Sequence, residues 1–121
     1  MIVPVDVIGP RNQYDFQFYS ERFDGPLGRV RIDKDDDPSA VHIMWIWNVH
    51  VHVPYRRLGL GRQMVSECIE FVINEHPEVS EVRLAVFNNN HMARKLYITL
   101  GFRTIIKGTL ERFMRLELRK P

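Results

Sequence analysis

The chain of 121 residues has one cysteine, no apolar run long enough to cross a membrane, and no marked excess of either charge. Each absence removes a class of protein. Cys68 alone cannot form an internal disulfide, so the fold must rest on an apolar core and a reducing compartment is expected. With no membrane run and no signal-peptide pattern at Met1-Ile2-Val3-Pro4, a membrane partner is not expected and a cytoplasmic location is the default. Seventeen basic against fifteen acidic residues leave a formal charge of +2, which is no general nucleic-acid signature. Internal repeats and low-complexity linkers are also missing. A hydrophobic content of 45% in 121 residues suffices for one domain and is too little for two.

What the chain does contain is the run Val51-His52-Val53-Pro54-Tyr55-Arg56-Arg57-Leu58-Gly59-Leu60-Gly61-Arg62, which joins a β-branched strand to a helix. Met64, Val65, Cys68, Phe71 and Val72 follow at helical spacing, so Leu58 to Gly61 are expected in the first helical turn. Open N–H groups and the helix dipole favour an anion there, and Gly59 and Gly61 lack the Cβ atoms that would keep a phosphate off the backbone. Arg56, Arg57 and Arg62 add charge. The same glycines would also serve a purely structural turn with close helix–strand packing. A P-loop is excluded, because Arg62-Gln63 stands where Lys-Ser/Thr is needed. A dinucleotide fingerprint is excluded by Met64 and by Phe87, which replace a small residue and an acid.

Downstream, Glu81 to Phe87 alternates after a Pro77-containing turn and predicts a strand. Asn90 then predicts a helix N-cap, with Ala93, Leu96, Tyr97 and Leu100 on one face and Gly101 as the left-handed terminator. Strand, turn, helix, strand and helix in this order predict a right-handed βαβ unit with parallel neighbouring strands. Ahead of it, Gly9 to Gln13 reads as a turn, Tyr14, Phe16 and Phe18 alternate as a strand ended by Asp24-Gly25-Pro26, and Leu27 to Ile32 is the next strand. Asp33 to Ser39 reads as a solvated hairpin loop leading to a long strand from Val41, its aspartates a candidate attraction for a cationic ligand. Arg103 to Lys107, Gly108 and Leu110 to Leu118 predict a closing hairpin. The expectation is one domain, with antiparallel strands over 1–40, a core over 41–102 and a hairpin over 103–121.

Arg56-x-x-Gly59-x-Gly61 together with Asn90-x-x-Ala93-x-x-Leu96-Tyr97-x-x-x-Gly101-Phe102 resembles the acetyl-CoA-binding core of the GNAT N-acetyltransferases. The resemblance spans roughly Val41 to Phe102. It implies an α/β (α+β) fold with a mixed, mostly antiparallel sheet around a central βαβ acyl-CoA-binding core. It implies direct transfer of an acetyl group from acetyl-CoA to a primary amine of a protein, peptide or small molecule. By the same resemblance the backbone of Arg57, Leu58, Gly59, Leu60, Gly61 and Arg62, with Arg56 beside it, holds the coenzyme pyrophosphate. Val49 and Val51 pair with the pantetheine arm, Asn90 contacts that arm, and Tyr97 protonates the departing thiolate. A phenol is a neutral donor at pH 7, which suits that task on chemical grounds too. Tyr97 would otherwise be a packed core aromatic.

The general base is less legible. Many GNAT relatives use a carboxylate on the strand before the turn, yet Val41 to Val53 holds no Asp or Glu. His42, His50 and His52 share strand parity with Met44, Ile46 and Asn48, opposite Ile43, Trp45, Trp47, Val49, Val51 and Val53. His50 or His52 is the candidate base, and packed strand histidines are the alternative. No metal is expected, since no nearby Cys or acid completes a ligand set with them. Trp45 and Trp47 are expected on one face as core packing, with lining of the acceptor pocket as the alternative. Relatives also carry two helices between their first two strands, and here that stretch is missing or very short. The acceptor groove would then be open, or closed by a partner or a second copy of the chain, so a homodimer stays open. A catalytically weak acyl-CoA-binding or sensor module is the alternative function.

Overall fold

A computed structural model describes residues 2–8, 13–56 and 59–118, so residues 9–12 of the turn expected at Gly9 to Gln13 and the roles given to Arg57 and Leu58 lie outside the described residues, while Gln13 already belongs to a strand. The chain forms β1 (Ile2–Ile8), β2 (Gln13–Ser20), β3 (Gly28–Lys34), β4 (Ile43–Val51), α1 (Leu60–Glu75), β5 (Glu81–Phe87), α2 (His91–Thr99), β6 (Arg103–Lys107) and β7 (Glu111–Glu117). Seven strands make one sheet in the order β1-β2-β3-β4-β5-β7-β6. Among the described residues only β4 and β5 are parallel, and α1 connects them; every other neighbouring pair is antiparallel. This is the mixed sheet with a central βαβ unit that the sequence led us to expect.

Alternation explains the strands. Phe16 and Phe18 are buried while Gln17 between them is exposed, and across the register they meet Val30 and Gly28. Met44, Ile46, Val82, Leu84 and Met114 continue the same face, where they join Met64, Val65, Cys68 and Val72 of α1 and Tyr97 of α2 in one apolar cluster. Both helices therefore cover the same side of the sheet. Among the described residues nothing helical covers the other side.

One irregularity corrects the expected parity. Arg29 pairs with His50, but Arg31 pairs with Trp47, so β4 carries one extra residue in a β-bulge. Asn48 sits there with φ 53, a left-handed conformation that asparagine tolerates better than most side chains. The bulge reverses the alternation. Val49 and Val51 pack against the core with Met44 and Ile46, whereas His50 falls opposite Arg29 on the side of Trp45 and Trp47.

The tryptophans do share a face, but it is the helix-free one and not the core. Their rings stack at 5.4 Å, Trp45 meets the Phe113 ring edge-on at 5.9 Å, and Trp47 stays 38% exposed. Their indole N–H groups donate to Asp35 at 2.6 Å and to Asp33 at 2.8 Å. The aspartate-rich segment is thus partly a hydrogen-bonding shelf for two indoles, with Asp33 and Lys34 still inside β3.

Candidate functional site

Pairing between β4 and β5 runs only from Ile43↔Glu81 to Ile46↔Leu84, although the strands continue to Val51 and Phe87. Beyond that point they separate, leaving backbone groups of β4 with no strand partner on that edge. The His52 N–H bonds to Leu27 O at 2.8 Å on the β3 side, so by alternation the amides of Val51 and Val49 face the gap. The Val51 carbonyl accepts from Arg56 Nε at 2.8 Å, which ties that arginine to the strand end.

A cleft of about 610 Å³ opens on the helix side of this gap. Val49, His50 and Val51 form one wall, Tyr55 and Arg56 the entry, Gly59 to Arg62 the end, and Asn90, Met92, Ala93, Leu96 and Tyr97 the other wall. Helix α1 begins at Leu60, later than expected, because Gly59 is its N-cap with φ 75. The first bond of the α-helical ladder runs from Gln63 N to Gly59 O at 3.3 Å, so the N–H groups of Leu60, Gly61 and Arg62 precede the ladder and have no carbonyl within it. No acidic residue occupies this first turn, which keeps its positive end uncompensated. A Cβ on Gly61 would stand 3.4 Å from Leu96 Cδ1 and 3.6 Å from Val51 Cγ2, so glycine keeps the cleft floor low.

The facing helix is fixed by Asn90, whose side chain accepts from Ala93 N at 3.2 Å. Tyr97, two turns on, is only 7% exposed, and burial pushes its hydroxyl pKa up to about 12. The group stays a proton donor through the physiological range. A second cleft, of about 290 Å³, continues past Tyr97 between the separated strands. It shares Val49, Asn90, Ala93 and Tyr97 with the first and adds Trp47, Asn48, Ala85, Phe87 and Glu111. Tyr97 therefore stands where the two spaces meet.

Of the residues singled out from sequence, Val49, His50, Val51, Arg56, Gly59, Leu60, Gly61, Arg62, Asn90 and Tyr97 all line the first cleft. His52 lines neither cleft, and His50 does not reach the second. The His50 pKa is lowered by burial, then by the charges of His52, Arg56 and Arg29, so its neutral form is favoured. Glu111 went unnoticed in the sequence. It lies outside both motifs and reaches the cleft only because β7 inserts between β5 and β6.

A family model described as the acetyltransferase (GNAT) family matches residues 7–102. The chain belongs to this acetyl-CoA-dependent acetyltransferase family. No curated protein matches it in sequence. Among solved structures, it is similar to a GNAT-family acetyltransferase from Streptococcus pneumoniae, with TM-score 0.74 and 22% identity over 89% of this chain and 68% of that one. A Salmonella typhimurium protein solved with its cofactor acetyl-CoA gives TM-score 0.73 at 18% identity, covering 90% of this chain and 66% of that one. A Bacillus subtilis acetyltransferase in complex with CoA gives 0.72 at 16% identity, covering 89% and 78%. At these identities the likeness is one of fold, and the chain spans 66–78% of the length of these three structures. No helix of the described residues is long and apolar enough to cross a membrane.

Proposed function

We propose that the chain is an N-acetyltransferase that carries an acetyl group from acetyl-CoA directly to a primary amine. The observation that carries this reading is Tyr97, a buried phenol lining both the helix-side cleft and the cleft between the separated strands. Direct transfer needs this arrangement, because the thioester must be reached from two sides, by a coenzyme arm on one and by an amine on the other.

The residues of the first cleft suit coenzyme A. The N–H groups of Leu60, Gly61 and Arg62 at the open end of α1, with Arg56 and Arg62 at the rim, would hold the pyrophosphate. The edge amides of Val49 and Val51 would pair with the pantetheine amides as a further strand would, and Asn90 would contact the same arm. Acetyl transfer places charge first on the carbonyl oxygen and then on sulfur. An N–H of the β4 edge would serve the oxygen, and the Tyr97 hydroxyl would give its proton to sulfur as the carbon–sulfur bond breaks.

Calorimetric titration with acetyl-CoA tests the coenzyme half, and Tyr97→Phe tests the chemistry. We expect the native protein to bind and Gly61→Glu to lose binding, because its carboxylate would face the pyrophosphate. Tyr97→Phe is expected to keep acetyl-CoA affinity and to lower turnover on the order of 10²-fold. Unchanged turnover would remove Tyr97 from the chemistry.

A further inference from the structure

His50 and His52 leave the acceptor side without a base. Neither lines the cleft through which an amine would approach Tyr97 from the helix-free face. Of the described residues that do line it, Glu111 alone carries a carboxyl group, and none carries a basic side chain. We propose that the Glu111 carboxylate binds the acceptor's ammonium and takes its proton, so that the acceptor is a cationic primary amine entering from the helix-free face. The proposal rests on the acetyltransferase reading above and names the group that reading lacks.

Register places the carboxylate. Glu111 pairs with Phe87 and Phe113 with Ala85, whereas the core residue Met114 pairs with Leu84. Glu111 therefore belongs to the parity opposite the core, with Phe113, on the helix-free side. Its strand end is held firmly. The Asn88 side chain donates to Gly108 O at 2.9 Å and Thr109 O at 3.2 Å, its N–H bonds to Leu110 O, and the Gly108 N–H bonds to Glu111 O at 2.8 Å. The adjacent cation is already engaged, since Arg112 Nε donates to Asn88 Oδ1 at 3.0 Å. Every ion pair among the described residues lies elsewhere, which leaves the Glu111 carboxylate for a ligand.

The step balances. The ammonium passes one proton to Glu111, and the freed nitrogen lone pair forms the nitrogen–carbon bond. The carbon–sulfur bond then breaks, with its electron pair on sulfur and the Tyr97 proton following. The second nitrogen proton returns to the Tyr97 oxygen, and Glu111 releases its proton to solvent.

A test that needs no knowledge of the acceptor uses two thioethers of coenzyme A. One carries S-aminoethyl, whose ammonium sits beside the reacting position, and the other S-hydroxyethyl, its neutral counterpart. Calorimetry on the native protein should favour the aminoethyl compound by about tenfold or more, the scale of a charge-assisted hydrogen bond. Glu111→Gln should abolish that preference and leave hydroxyethyl affinity unchanged, which also shows that the variant folds. Glu111→Asp should restore part of it. Equal binding of both compounds by the native protein, or a preference that survives in Glu111→Gln, would overturn the role of Glu111 while the coenzyme reading stands. No binding of either would overturn the coenzyme reading and this proposal with it.

Discussion

Gly28 shows how a single missing Cβ positions the site. A Cβ there would lie 2.2 Å from the His50 carbonyl oxygen and 2.8 Å from Met64 Cε. The methionine end could move, but the backbone carbonyl could not without shifting β4 beside its bulge. Gly28→Ala is therefore expected to destabilise the fold by about 1–3 kcal/mol in urea unfolding. At Gly25, where φ is 73 and nothing lies within 4 Å, alanine should cost only the left-handed strain of about 1–2 kcal/mol. A second effect at this scale is a titration. Lys34 Nζ at 2.6 Å, with His76 Nδ1 at 3.2 Å, helps hold the Glu78 pKa down at about 2, below its ordinary 4.5. A depressed carboxylate stabilises the folded state above its unfolded pKa and loses that contribution as pH falls through its folded one. Stability should thus decline between about pH 4.5 and 2, and Glu78→Gln should remove that part of the decline. Because the carboxylate is 40% exposed, solvent screening keeps the effect small. An unchanged acid limb in the variant would show that the pair contributes nothing.

Among the elements, β4 decides the geometry of the site, and it is where the sequence was least transparent. The strands around it were legible from alternation, as with Phe16 and Phe18, and the helices from spacing and from the Asn90 and Gly101 signals. A period of two cannot reveal a bulge. Asn48 at φ 53 inserts a residue that sends Val49 and Val51 to the core side and His50 away from it, so the expected grouping of His50 with Met44 failed. The tryptophans were misread for a related reason, because a strand's polar and apolar parity says nothing about whether helices cover both faces. Asn48 makes the bulge testable. Asn48→Gly, free of steric cost at positive φ, should keep stability and acetyl-CoA affinity close to native. Asn48→Val places a β-branched side chain where it is strained, and should cost about 1–2 kcal/mol in urea unfolding. It should also weaken acetyl-CoA binding, since straightening β4 would rotate the Val49 and Val51 edge out of the cleft. Equal behaviour of the two variants would mean that the bulge plays no part in holding that edge.

At the scale of the whole molecule, both helices of the described residues lie on one side of the sheet, so among those residues the reaction assigned to it has a built side and an open side. The coenzyme cleft belongs to the first, and its residues could be named from two motifs because they fall within the contiguous run from β4 through α1 and β5 to α2. Glu111 belongs to the second and could not, because it becomes a neighbour of Asn90 and Tyr97 only when β7 slots between β5 and β6. The chain's two tryptophans, stacked on the open side, make that side observable on its own. Trp47 lines the Glu111 cleft and is 38% exposed, so acrylamide should quench the native emission. Coenzyme A, bound on the helix side, should leave that quenching unchanged. The S-aminoethyl thioether, which carries an ammonium into the second cleft, should reduce it. Emission as shielded as that of a core indole in the protein alone would mean that the face is already covered. Dilution with sedimentation then identifies a second copy of the chain as the cover if the shielding lifts as the assembly dissociates.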